Sequence, residues 1–243
     1  FFSDLEAFST MSEEVPSQEL LLRVSAYLEL VTKTVNQEHG TIDKFIGDGV
    51  MAFWGAPALL DDHAWRACVA AMRIQRGMDA LNERWLSQEL KPLNVRIGIH
   101  SDAVLVGNIG SKERMSYTVM GDGVNLAARL EGINKEFNTR ICISHSVFKE
   151  AGERLCVRPI DDVTVKGRRA KVPIYELMGV YGAEDPELEP GADIQRLCKL
   201  TRLAHEALVQ EDYALASRRY REILNEYPDD PVASVLVRRL VTA

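Results

Sequence analysis

Lys44-Phe45-Ile46-Gly47-Asp48-Gly49-Val50-Met51-Ala52-Phe53-Trp54 reads as two short apolar strands joined by a turn that holds one carboxylate at its tip. The flanks, 42–46 and 50–54, are β-branched, aromatic or aliphatic, and Gly-Asp-Gly between them is turn chemistry that tolerates positive φ. Taken alone, the tripeptide describes an ordinary hairpin. A second carboxylate, Asp4, stands in another strand-like stretch at 1–5, and the placement of the two strands decides whether the acids meet.

Working outward, Glu6 to Glu14 is a polar connection, and Pro16-Ser17 opens a helix whose Leu20, Leu21, Val24, Tyr27, Leu28, Val31 and Val35 recur at helical spacing. It ends near His39-Gly40, where glycine suits a left-handed cap. Beyond the hairpin, Gly55-Ala56-Pro57 breaks the strand and Asp61-Asp62 signals the start of a second long helix carrying Trp65, Cys68, Val69, Met72, Ile74, Met78 and Leu81. Val95 to His100 is a strand, and Ala103 to Ile109 is another after a turn at Ser101-Asp102. The order strand, helix, strand, strand, helix, strand predicts an α+β fold with a ferredoxin-like βαββαβ core. In that arrangement the first strand lies between the third and fourth and runs antiparallel to the third. Asp4 then lies beside the start of the strand that follows Asp48. Two carboxylates so placed repel unless a cation sits between them, and paired oxygen ligands suit Mg²⁺ or Mn²⁺.

Downstream, Tyr117 through Arg129 reads as a short strand, a tight turn and a helix. Asn125 and Arg129 are four apart, so they share a helix face and can reach one ligand together: Arg presents a fork to phosphate, Asn a donor and acceptor to a sugar. The same pair also fits an exposed amphipathic helix. Val163 to Arg169 places Lys166 at a strand end beside glycine, which serves either as a phosphate point charge or as part of a surface hairpin.

Composition narrows the classes. A chain of 243 residues with 46% hydrophobic and 27% charged residues is that of a globular protein with a substantial core. The net charge of −7 argues against a nucleic-acid face, which needs clustered Lys and Arg, but allows a local basic nucleotide pocket. No apolar run approaches the roughly 18 residues of a membrane span. Cys68, Cys142, Cys156 and Cys198 lack metal spacing and read as reduced buried thiols, which predicts a cytoplasmic domain. The chain opens inside a strand without Met, so it reads as a fragment, with room upstream for a sensor or membrane domain that anchors the full-length protein.

Five motifs in order make the sequence similar to the catalytic domain of class III nucleotidyl cyclases, from about Phe1 to Val180. They are Phe2 through Ser9, Lys44 through Gly49, Arg96 through His100, Val106 through Gly110, and Tyr117 through Arg129. The resemblance implies that Asp4 and Asp48, with the backbone carbonyl of Leu5, hold two divalent cations. It further implies that Lys44 and Thr118 contact adenine, Asn125 orients the ribose, Arg129 stabilises the α-phosphate, Lys166 neutralises the β- and γ-phosphates, and Arg114 adds a phosphate contact. ATP is then the substrate and a homodimer the working unit, since the family's sites form between two such domains. Thr118 stands where many members have Asp, and the chain in this respect resembles the subgroup reported to respond to bicarbonate. Ala7 and Asp102 replace usual glycines, which predicts backbone strain at both. A guanylate cyclase and a non-catalytic nucleotide-binding module are the alternatives.

After Tyr181 the character changes. Residues 182–192 have the composition of a linker, and 193–243 read as three helices whose Tyr213, Ala216, Tyr220, Ile223 and Pro228 resemble part of a tetratricopeptide unit. Such helices either pack on the catalytic domain, residues 1–181, or on its dimer partner, or belong to a longer repeat array.

Overall fold

The computed structural model describes residues 1–164 and 171–242. Its elements run β1 (Phe2–Leu5), α1 (Phe8–Glu14), α2 (Ser17–Gln37), β2 (Thr41–Ile46), β3 (Gly49–Phe53), α3 (His63–Leu86), β4 (Val95–Ile99), β5 (Leu105–Gly110), β6 (Met115–Met120) and α4 (Asp122–Phe137). There follow β7 (Ile141–Ser144), α5 (His145–Ala151), β8 (Leu155–Thr164), β9 (Lys171–Val180), α6 (Ala192–Val209), α7 (Tyr213–Glu226) and α8 (Pro231–Thr242). Seven strands form one sheet in the order β2-β3-β1-β4-β7-β9-β8, and β5 and β6 form a separate two-stranded arm. As the sequence predicts, β1 lies between β3 and β4 and runs antiparallel to β3; it is antiparallel to β4 as well.

Each face of the sheet is covered by helices. On one, Tyr27, Val31 and Val35 of α2, Cys68, Ile74 and Met78 of α3 and Val147 of α5 meet Val50, Ile97, Ile99 and Ile143 from the strands. On the other, Leu126, Leu130 and Phe137 of α4 join Ile160 and Ile174 with the last three helices. All five residues of β3 are buried, because the arm contributes Val119 against Met51 and Phe53 on the face opposite α2; a strand covered on both sides reads as a continuous apolar run. Gly98 lets α4 lie directly on β4, since a Cβ there would sit 2.2 Å from the Glu131 amide nitrogen and 2.4 Å from the Ala127 oxygen. All four cysteines are buried and free. No helix among the described residues is long and apolar enough to cross a membrane.

Four local expectations are corrected. Residues 8–14 form α1 rather than a connection, anchored by Phe8 and Met11 against the core. The left-handed residue that ends α2 is His39 at φ 59°, not Gly40. Ala7 does occupy the left-handed region, φ 55°, at a cost of about 1–2 kcal/mol, whereas Asp102 is not strained and instead accepts a 2.8 Å hydrogen bond from the Ala103 amide. The segment 182–192, linker-like in composition, is packed: Leu188 is buried in the first core, and Arg76 of α3 pairs with Asp185 at 2.8 Å.

One buried cation ties the sheet to the C-terminal helices. Arg158 on β8 is 2% exposed, donates from Nε to Glu176 Oε2 on β9 at 2.6 Å, and donates from its terminal nitrogen to Asp230. Asp230 also accepts from the Ala233 amide at 2.8 Å, capping α8. Removing one partner of a buried charge network strands the other, at about 3–5 kcal/mol. Asp230→Ala is therefore expected to lower the unfolding free energy by about that amount in chemical denaturation. A loss of less than about 1 kcal/mol would show that Glu176 alone satisfies the guanidinium.

Candidate active site

The two carboxylates singled out in the sequence meet. The β1–β3 pairing sets Ser3 opposite Val50, which brings the end of β1 against the turn before β3. Asp48 Oδ2 accepts a 3.2 Å hydrogen bond from the Leu5 amide, so the backbone of β1 aims the turn-tip acid at Asp4. One residue back, Ser3 faces the opposite side of the sheet, where its hydroxyl lies 2.7 Å from the Tyr27 hydroxyl of α2. Beside Asp4 in the register stands Arg96 of β4, whose guanidinium lies 3.4 Å from Asp4 Oδ2 and donates to Glu131 Oε1 on α4 at 2.8 Å. Partial burial, the charge of Asp48 and the charge of Glu131 together push the Asp4 carboxyl up from 3.8 to about 6, against the opposing pull of Arg96.

The donor set fits a divalent cation. Two carboxylates held against their mutual repulsion line one cleft with Leu5, Ala7, Ser9 and Arg96. No group of three or more acidic, histidine or cysteine side chains that could hold a metal occurs among the described residues, so this is not an all-protein cage. Hard cations such as Mg²⁺ bind to one or two carboxylates and complete their shell with water and phosphate oxygens. Arg96 and Glu131 were not read as site residues in the sequence. The alternation of β4, with Val95, Ile97 and Ile99 buried on one face, places Arg96 on the other and carries the signal for the first; Glu131 is found only by the close approach of α4.

A second cluster joins β2 to the arm. The β2–β3 register shifts between Ile42 and Lys44, and this bulge is where Asp43 sits. The Asp43 side chain is fully buried. Its Oδ2 accepts from the Thr118 hydroxyl at 2.5 Å and the Val119 amide at 3.3 Å. Lys44 Nζ lies 3.0 Å from Asp43 Oδ1 and donates to Thr118 Oγ1 at 3.2 Å. Lys44 and Thr118, predicted to share a ligand, are thus neighbours across 74 residues of sequence. Asp43 went unread because strand alternation does not reveal a bulge.

Asn125 and Arg129 occupy successive turns of α4 and are exposed, flanking the buried Leu126 and Leu130. Arg114 is exposed at the tip of the β5–β6 hairpin, where its amide and carbonyl exchange hydrogen bonds with Ser111 at 3.2 and 3.0 Å. Lys166 lies outside the described residues.

The family model for the adenylate and guanylate cyclase catalytic domain matches residues 1–179. The chain belongs to this family, the class III nucleotidyl cyclases, whose members use divalent metals. It is 37% identical over 182 residues, 75% of its length, to Adenylate cyclase 1 of Rhizobium meliloti, and the match spans 27% of that protein. Among solved structures it resembles the guanylyl cyclase Cya2, with a TM-score of 0.70 and 33% identity over 78% of this chain and 94% of that one. It likewise resembles the adenylyl cyclase CyaB from P. aeruginosa, with a TM-score of 0.67 and 34% identity over 76% and 93%.

The raised Asp4 carboxyl has a measurable consequence. Between about pH 4 and about 6 the folded chain keeps a proton that the unfolded chain releases near 3.8, so metal-free stability falls as pH rises through that window. Asp48→Asn removes the neighbouring charge. In chelator at pH 7 its melting temperature is expected to match or exceed that of the unaltered protein, and the rise produced by millimolar Mn²⁺ is expected to vanish. A Mn²⁺-induced rise as large as in the unaltered protein would remove Asp48 from the ion's coordination shell.

Proposed function

We propose that the chain is an adenylate cyclase that converts ATP to 3′,5′-cyclic AMP and pyrophosphate at composite sites of a homodimer. The observation that supports this reading most directly is the pair Lys44 and Thr118, 3.2 Å apart. An ammonium donor beside a hydroxyl acceptor complements the adenine edge, which offers a ring nitrogen acceptor next to an amino donor. Guanine presents the reverse, a carbonyl acceptor next to a ring N–H. The likeness to Cya2 favours a guanylate cyclase as the second reading, but that reading needs an acceptor where Lys44 stands.

In the proposed site Asp4 and Asp48, with the Leu5 carbonyl, hold two divalent cations, Mg²⁺ or Mn²⁺. When bound, such ions lower the pKa of the ribose 3′-hydroxyl and neutralise the triphosphate. Asn125 holds the ribose so that its 3′-oxygen lies in line with the α-phosphorus. The 3′-oxygen–phosphorus bond forms, the bond to the β-phosphate bridging oxygen breaks, and the hydroxyl proton passes to solvent. Arg129 presents its fork to the α-phosphate as charge builds there, Lys166 neutralises the β- and γ-phosphates, and Arg114 adds a further phosphate contact. Loss of one such aimed contact typically lowers the rate about 10²- to 10³-fold.

Exposed apolar side chains around the clusters, among them Phe45, Ile46, Met115, Tyr117 and Met120, support the dimer, since such patches mark interaction surfaces. In this arrangement one chain supplies the carboxylates and its partner the Asn125–Arg129 pair. The direct test is incubation of the purified chain with ATP or GTP and Mn²⁺ or Mg²⁺: cyclic AMP in excess of cyclic GMP is expected, and no cyclic product under any condition overturns the enzyme reading. Asp48→Ala and Arg129→Ala proteins are each expected to be nearly inactive. With random exchange, half of the dimers in an equimolar mixture carry one intact site of two, so roughly a quarter of full activity should return. If subunit exchange is demonstrated and no activity returns, carboxylates and arginine belong to the same chain.

A further inference from the structure

A buried carboxylate with no assigned role sits behind the base-reading pair. Thr118 Oγ1 has one proton to donate and two lone pairs to offer. The proton goes to Asp43 Oδ2, at 2.5 Å, in a hydrogen bond assisted by the acceptor's charge. Asp43 is held for this purpose from two further sides, by the Val119 amide at 3.3 Å and by Lys44 Nζ at 3.0 Å from Oδ1. One Thr118 lone pair receives Lys44 Nζ. What remains of the hydroxyl is a single lone pair, which can accept but not donate.

We infer that Asp43 is a specificity-setting positioning residue: by taking the Thr118 proton, it fixes that oxygen as an acceptor and so selects a purine nucleotide carrying an amino group at position 6. A threonine hydroxyl left free to rotate could accept from the amino group of adenine or donate to the carbonyl of guanine, and would discriminate poorly. The buried carboxylate removes the second option. It also fixes Lys44, whose one remaining N–H can only donate, toward the ring nitrogen that is an acceptor in adenine and a donor in guanine. Selectivity therefore comes from a residue one bond network away from the ligand. Burial is what makes it work, because an exposed carboxylate would share its lone pairs with water and leave the hydroxyl free part of the time.

This inference rests on the adenylate cyclase reading, and the experiment separates the two. Cyclisation rates are measured for ATP, GTP and purine riboside triphosphate, which keeps the ring nitrogen but lacks the amino group. In the unaltered protein ATP should exceed the riboside analogue in kcat/KM by roughly five- to tenfold, the worth of one hydrogen bond. In Asp43→Ala, which removes the acceptor and frees the Thr118 hydroxyl, that ratio should fall toward one, with the analogue's own kcat retained and relative use of GTP raised. Equal losses on ATP and on the analogue show a merely structural role and overturn the proposal, as does an unchanged ratio. Should Asp43→Ala not fold, Thr118→Val takes its place, and an ATP-to-analogue ratio that it leaves intact is equally fatal. An unaltered protein that makes cyclic AMP but treats ATP and the analogue alike sinks this inference alone; one that makes no cyclic product sinks the reading beneath it.

Discussion

The antiparallel pairing of β1 with β3 is the constraint on which the site depends. Side chains alternate along a strand, so Ser3 turns to Tyr27 beneath the sheet while Asp4 faces Arg96 and the Asp48 turn. A one-residue slip would exchange the two, burying a carboxylate against α2 and leaving the cleft with one acid. Three features fix the register: the Ser3–Tyr27 contact, the Leu5 amide on Asp48, and the neighbouring ladder with β4. The cost of holding like charges together is therefore met by the ordinary packing of a buried strand. A preorganised, unfavourable arrangement of this kind is relieved by a proton below about pH 6, or by a cation.

Much of this was legible in the sequence. The βαββαβ order, the position of β1 and the convergence of Asp4 with Asp48 follow from strand and helix periodicities that the core enforces strongly. Lys44 and Thr118 were paired by family resemblance, since nothing local links residues on β2 and β6. The unread residues share a cause. Asp43 depends on a bulge, Glu131 on the approach of a helix allowed by Gly98, and α1 on a short amphipathic turn with a polar sequence. Each is decided by tertiary contact rather than by spacing. Ala7 went the other way: the resemblance marked it as a departure, and it carries left-handed strain beside the cleft that Asp4 and Asp48 line.

The two clusters lie along one hairpin. In the proposed site, base recognition falls to the bulged strand β2 and metal binding to the turn four residues after Lys44. A bulge and a tight turn in the same short element give each cluster its own local geometry without disturbing the other. The arm formed by β5 and β6 supplies Thr118 from outside the main sheet, whereas Asp4 and Asp48 stand on strands and a turn of the main sheet itself.

The Arg158 network bears on how the chain is made. Glu176 follows Arg158 by 18 residues, but Asp230 follows it by 72. At ribosomal speeds the interval between the two acids lasts on the order of several seconds. During that time the catalytic sheet has all its strands, yet its second face, with Ile160 and Ile174, has α4 on it but not the full set of the last three helices. The family model's match ends at residue 179, yet the core that Ile160 and Ile174 join continues into the last three helices. A nascent cyclase domain therefore carries part of this face uncovered until a segment beyond the residues that the family model matches has been made.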